Sequence, residues 1–165
     1  MKKLILLSAA LLVSACATPP AKITSRPAQV QFLTTAPNGR IVDKTTKTTV
    51  RAFAAIEGSK TKEVSGAQCT LTSDHIRANV VTPQVVMLPK YDQDKKLKNR
   101  GVPPSILVTC RAGNKSGSTL LAAKPGKIIS GSGNLFVDMV LIAGSAAAAT
   151  TADWRYSEFA NVVMK

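Results

Sequence analysis

Three cysteines, one histidine and nine carboxylates are the side chains from which this 165-residue chain could build a reactive centre. Cys16, Cys69 and Cys110 are too few for a four-thiolate zinc site, and one histidine excludes a multi-histidine site. Cys69 and Cys110 stand far apart rather than as a Cys-x-x-Cys pair, so thioredoxin-like exchange has no support. Ser65 and Ser73 have only His75 as a base, and no nucleophile elbow surrounds them. His75 beside Asp74 reads as a surface pair at a turn rather than a catalytic dyad. Asp92 and Asp94 begin like a calcium loop, but its glycine and closing glutamate do not follow. Gly126, Gly131 and Gly133 lack the order of a phosphate-binding fingerprint. The expectation is a protein with no enzymatic activity, no metal and no cofactor.

The cysteine nearest the N-terminus has a different context. Lys2 and Lys3 precede an apolar run over 4–13. That run is too short to cross a bilayer, which takes about 20 residues. It ends in Val13-Ser14-Ala15-Cys16, which resembles the lipobox of bacterial lipoproteins. The resemblance implies that Cys16 becomes the mature N-terminus and carries a diacylglycerol thioether and an N-acyl chain. Several chains together make a stable anchor where one alone holds only reversibly. An ordinary secretory signal with Cys16 incidental is the alternative. In the lipoprotein pattern an aspartate after the cysteine marks retention in the inner membrane. Ala17 stands there instead, which implies the outer membrane, with the domain facing the periplasm. In such an oxidising compartment Cys69 and Cys110 read as a disulfide, the alternative being two buried thiols.

The chain carries 22 basic against 9 acidic residues, or +13, and 45% hydrophobic residues exclude general disorder. Loss of residues 1–15 takes Lys2 and Lys3, leaving 150 residues with 20 basic and 9 acidic side chains, or +11. For an exported protein nucleic acid is not an expected partner. Anionic lipid head groups, lipopolysaccharide phosphates or acidic cell-wall glycan fit that charge, as does plain solubility.

These residues need a scaffold, and one domain over 29–165 fits the length. Residues 16–28, with Pro19, Pro20 and Pro27, read as an extended lipidated tether. Short strand-like runs follow at 29–33, 45–56, 64–71, 76–82, 84–89, 106–111 and 118–123, separated by turn residues. Pro83 and Pro89 bracket the run at 84–89 and place it near a sheet edge. The reading is mainly β, a small β-sandwich with one inserted Ala/Gly-rich helix, about 131–150, before a last strand within 154–165. That segment reads as a helix on the sandwich or at the membrane surface, as a self-association element through Gly144 and Ala148, or as a span. A span is disfavoured by its length and by Asp138. The loop after residue 89 is basic, and Lys90, Lys95, Lys96, Lys98 and Arg100 with nearby Lys115, Lys124 and Lys127 are candidates for binding an anionic surface. A plain solvated loop is the alternative.

Three stretches carry a family resemblance. They are Gly66-Ala67-Gln68-Cys69-Thr70-Leu71-Thr72 with Val85-Val86-Met87-Leu88-Pro89, then Ile106-Leu107-Val108-Thr109-Cys110, then Gly133-Asn134-Leu135-Phe136 running on to Trp154 and Tyr156. Their order resembles small proteobacterial lipoproteins built on a PEGA-like, immunoglobulin-like β-sandwich module. The resemblance implies architecture and location but no reaction and no catalytic residues. The functional expectation is a structural or accessory lipoprotein of an envelope assembly, with residues 131–150 contacting itself or a partner protein. The alternative is a monomeric module that binds anionic envelope polymer.

Overall fold

The computed structural model describes residues 19–33, 41–56, 60–94, 96, 98–125 and 153–165. Cys16, Lys95, Gly144, Ala148 and the helix expected at 131–150 lie outside the described residues.

Twelve strands are described: β1 (Ala28–Gln29), β2 (Gln31–Phe32), β3 (Ile41–Ala55), β4 (Thr61–Val64), β5 (Gln68–Thr72), β6 (Ile76–Val81), β7 (Gln84–Tyr91), β8 (Ile106–Ala112), β9 (Lys115–Leu121), β10 (Lys124–Pro125), β11 (Trp154–Arg155) and β12 (Phe159–Met164). They form two sheets. One runs β10-β11-β7-β3-β12, with β1 also beside β7 and β4 beside β3; the other runs β2-β6-β5-β8-β9. Pairing is antiparallel except for β1 on β7 and β12 on β3, which are parallel. No α-helix occurs among the described residues.

The strands form where side chains alternate. In β6 Ile76, Ala78 and Val80 turn inward while Arg77, Asn79 and Val81 face solvent. In β12 Ala160, Val162 and Met164 are buried between exposed Phe159, Asn161 and Val163. The inward sets of both sheets meet in one core with Val50, Leu71, Val86, Leu88, Ile106 and Val108 fully buried. Each such side chain contributes about 1.5–3 kcal/mol relative to exposure. Cys69 of β5 and Cys110 of β8 are direct register partners with Cα atoms 4.0 Å apart, and they form the disulfide. The bond therefore joins neighbouring strands of one sheet.

Both open sides of the sandwich are closed. On one side, Val30 lies between β1 in the first sheet and β2 in the second, so a single extended segment edges both. On the other, Ser116 of β9 and Lys165 after β12 exchange two backbone hydrogen bonds of 3.2 and 3.0 Å. Gly117 makes this approach feasible: a Cβ there would stand 2.1 Å from the Val163 carbonyl oxygen.

The structure corrects one expectation outright. The strand at 84–91 is interior, with β3 along one edge and β1 and β11 along the other. Pro89 is tolerated because it pairs with Thr45 where the β3 register shifts after Val42, and because β1 covers only Val86 and Met87 on the far edge. Pro83 sits before the strand, in a turn where buried Thr82 bonds Val64, Gly66 and Ala67. The expected last strand is two short strands, and β9 starts at Lys115, before the expected 118.

The ends of the sandwich differ. At one end lie the β3–β4 hairpin and the turn between β8 and β9; this is the tether end. At the other lies the loop of 92–105, the loop end. There Tyr156 donates to the Pro104 carbonyl at 2.8 Å, and Trp154 Nε1 donates to that of Arg100 at 3.2 Å. Tyr91 and Tyr156 pack edge to face at 6.3 Å. Burial pushes both phenols up from their ordinary value, and at Tyr156 the neighbouring Tyr91 adds to the shift. These are the chain's two tyrosines. Their neutral forms favour the fold, so their contribution is intact below about pH 10 and is lost as pH rises above it. Tyrosinate absorbance is expected to appear only together with loss of the β-sheet circular dichroism signal. Ionisation near pH 10 in the folded protein would contradict this packing.

Candidate functional site

Among the described residues, the basic positions expected as one surface fall at two places, with Lys115 apart from Lys90, Lys96 and Arg100. Lys90 on β7 is half-buried, Lys96 is exposed with its backbone N–H on Asp94 Oδ1 at 2.8 Å, and Arg100 is half-buried with a left-handed φ of 53°. Lys98 is described in its backbone, within the turn Lys98–Gly101. Lys115 lies at the tether end, a β8 strand-length from the others. At about 3.3 Å per residue that is roughly 20 Å. The loop itself is braced by Trp154, Tyr156 and the Asp94 N–H to Arg100 carbonyl bond. Asp92 and Asp94 within it and Asp153 beside β11 offset part of its charge.

What the fold does assemble is an open groove where β10 and β11 meet the start of β12. Lys124, Pro125, Arg155 and Glu158 line one part, and Thr46, Lys47, Lys90, Arg155 and Phe159 line the adjoining part. Two features give it chemistry, the Lys124–Arg155 pair and Phe159. Lys124 and Arg155 are direct cross-strand partners, and like charges in that position repel. Thr46 lies beneath the groove on the core-facing side of β3, with Thr48 and Val50, so its hydroxyl, without a hydrogen-bond partner among the described residues, is not presented to the groove. Phe159 is 61% exposed on the rim. The paired cations of such a groove suit an anion such as a sugar phosphate.

Sequence reasoning found Lys90 and Lys124 but missed Lys47, Arg155 and Phe159. They come from strands that the β3–β12, β3–β7 and β7–β11 pairings bring together. Pro125 pairs with Trp154, so both ends of residues 126–152 join the scaffold at this same groove.

The second feature is at the tether end. Arg51 of β3 and Glu63 of β4 form an ion pair, with side chains 18% and 16% exposed. Together they hold the incoming chain: Ala21 N–H donates to Glu63 Oε2 at 2.9 Å, and Arg51 Nη1 donates to the Ala21 carbonyl at 3.2 Å. Hydrogen bonds to charged groups contribute about 1.5–3 kcal/mol each when shielded from water. Gln84 Nε2 holds the Arg26 carbonyl at 2.8 Å. The segment expected as a tether is thus extended but tied down from residue 21 onward.

His75 is half-buried at the turn between β5 and β6, its carbonyl accepting from the Leu33 N–H at 2.8 Å. No group of three His, Cys, Asp or Glu side chains gathers as a metal site among the described residues. No helix among them is long and apolar enough to cross a membrane. No protein-family model, curated protein or solved structure matches this chain.

Proposed function

We propose that this chain is a lipid-anchored, non-catalytic protein of the cell envelope, facing the periplasm from the outer membrane. Its β-sandwich serves as a scaffold for the apolar segment at about 131–150, inserted between β10 and β11. The reading draws on the lipobox-like Val13-Ser14-Ala15-Cys16 and on the resemblance to PEGA-like lipoproteins. One structural observation supports it above others: the Pro125–Trp154 register pair roots both ends of the insertion at one point of a closed, disulfide-linked scaffold. A segment rich in Ala and Gly, displayed in that way, suits self-association or contact with a partner subunit.

The test is the size of the native particle after mild detergent extraction. Gly144→Leu and Ala148→Leu are expected to dissociate a larger particle while leaving the circular dichroism spectrum and thermal midpoint unchanged. A wild-type monomer without co-purifying protein would refute the assembly role.

A second reading, binding of anionic envelope polymer, is favoured by the like-charged Lys124–Arg155 pair in the groove. In that case Lys124→Glu with Arg155→Glu abolishes retention on envelope fractions, and the wild-type retention weakens with salt.

A further inference from the structure

Basic residues stand at both ends of the sandwich, but the carboxylates are unevenly distributed along it. Of the carboxylates whose side chains are described, Asp74, Asp92, Asp94, Asp153 and Glu158 lie toward the loop end. At the tether end the described side-chain carboxylate is Glu63, which is engaged by Arg51 and by the Ala21 N–H. The sequence adds Glu57 in the β3–β4 hairpin. Against these two stand Lys22, Arg26, Lys60, Lys62, Arg111 and Lys115, all exposed except half-buried Lys115. Ile23 and Ile56 are exposed among them, at 38% and 50%.

The chain enters at that same end. Pro19, Pro20 and Ala21 lie in a groove with Arg51, Phe53, Ile56, Lys62 and Glu63. Cys16 precedes Pro19 by three residues, a reach of about 10 Å at full extension. A tether free as far as residue 28 would reach about 40 Å from Cys16. The Arg51–Glu63 clamp holds Ala21, five residues after Cys16, and so acts as a short strap that keeps the basic end within about 17 Å of the acylated residue.

We infer that the tether end of the sandwich seats on the anionic phospholipid surface of the membrane that holds Cys16. The lysines and arginines contact head groups, Ile23 and Ile56 press at the interface, and the insertion root points away from the bilayer. The inference rests on the acyl anchor at Cys16. It goes beyond that reading by giving the domain a fixed orientation and a lipid-binding face. Juxtamembrane basic residues gain about 1 kcal/mol each near an anionic surface, so several together would outweigh free tumbling.

Lysine acylation of the lipidated protein, extracted in mild detergent and reconstituted into phosphatidylcholine vesicles with and without phosphatidylglycerol, tests this. With phosphatidylglycerol, Lys60, Lys62 and Lys115 are expected to label about fivefold more slowly than in detergent, the factor equivalent to about 1 kcal/mol. Lys90, Lys96 and Lys124 label at an unchanged rate. Lys60→Glu with Lys62→Glu removes the protection at Lys115 without releasing the protein. Arg51→Ala evens out labelling between the two ends. Equal labelling of both ends in wild-type protein that still floats with the vesicles overturns the seat and leaves the anchor standing. Wild-type protein that does not float overturns the anchor and this inference with it.

Discussion

Alanine at Gly117 is expected to destabilise the fold by about 3 kcal/mol, the upper part of the range for overpacking. The added methyl group would meet the Val163 carbonyl oxygen at 2.1 Å and its carbon at 2.8 Å. Both atoms belong to a backbone fixed by six register pairs with β3, so neither can swing aside as a side-chain tip would. Relief requires β9 and β12 to part, which removes the Ser116–Lys165 hydrogen bonds and opens one side of the core. A urea titration should show a lower midpoint. Hydrogen exchange should show faster exchange at Ser116 and Lys165 than at β5 and β6. An unchanged midpoint would mean that the two edges are not in contact.

Replacing both Cys69 and Cys110 by alanine should have a similar or larger effect. The bond closes a loop with a sequence separation of 41, for which the chain-entropy relation gives about 4 kcal/mol. Both half-cystines are buried, so the substitution also leaves unfilled space in the core. With a urea dependence of about 1–3 kcal/mol per molar, the midpoint should fall by roughly 2 M. The sheet pairing itself does not depend on the bond, because β5 and β8 share five register pairs. The double variant is therefore expected to fold at low temperature with the same circular dichroism shape. A midpoint unchanged by reduction would show that the thiols are not linked.

The strands were legible wherever one face alternated. Ile76, Ala78 and Val80 are an inward set that needs no partner to recognise, because a half-buried strand carries its own period. Cys69 and Cys110 were readable as a pair from their strand-like settings, though not as partners across one sheet. The prolines misled because local chemistry excludes only a missing ladder bond, and a register shift opposite Pro89 removes the need for that bond. Sites made across the fold were not legible at all. Lys115 looked close to the loop lysines in the chain, yet β8 carries it to the other end. Lys124 and Arg155 are separated by the insertion and become neighbours only through the β10–β11 pair. The Arg51–Glu63 clamp depends on how a hairpin registers, and neither residue's type announces what it holds.

The parallel pairing of β12 with β3 also governs when the chain can fold. Thr48 and Ser157, bonded at the start of this pairing, are 109 residues apart. Strands that meet over such distances form late and slowly, because a large loop must close before any contact rewards it. A chain delivered N-terminus first would expose an open β3 edge and an unsealed core until its final residues arrived. In such a delivery, topology alone would keep the core from closing before β12 is present. The same delay leaves a bare strand edge open to a neighbouring chain, so a holding chaperone would have most to offer in the interval before β12 is delivered.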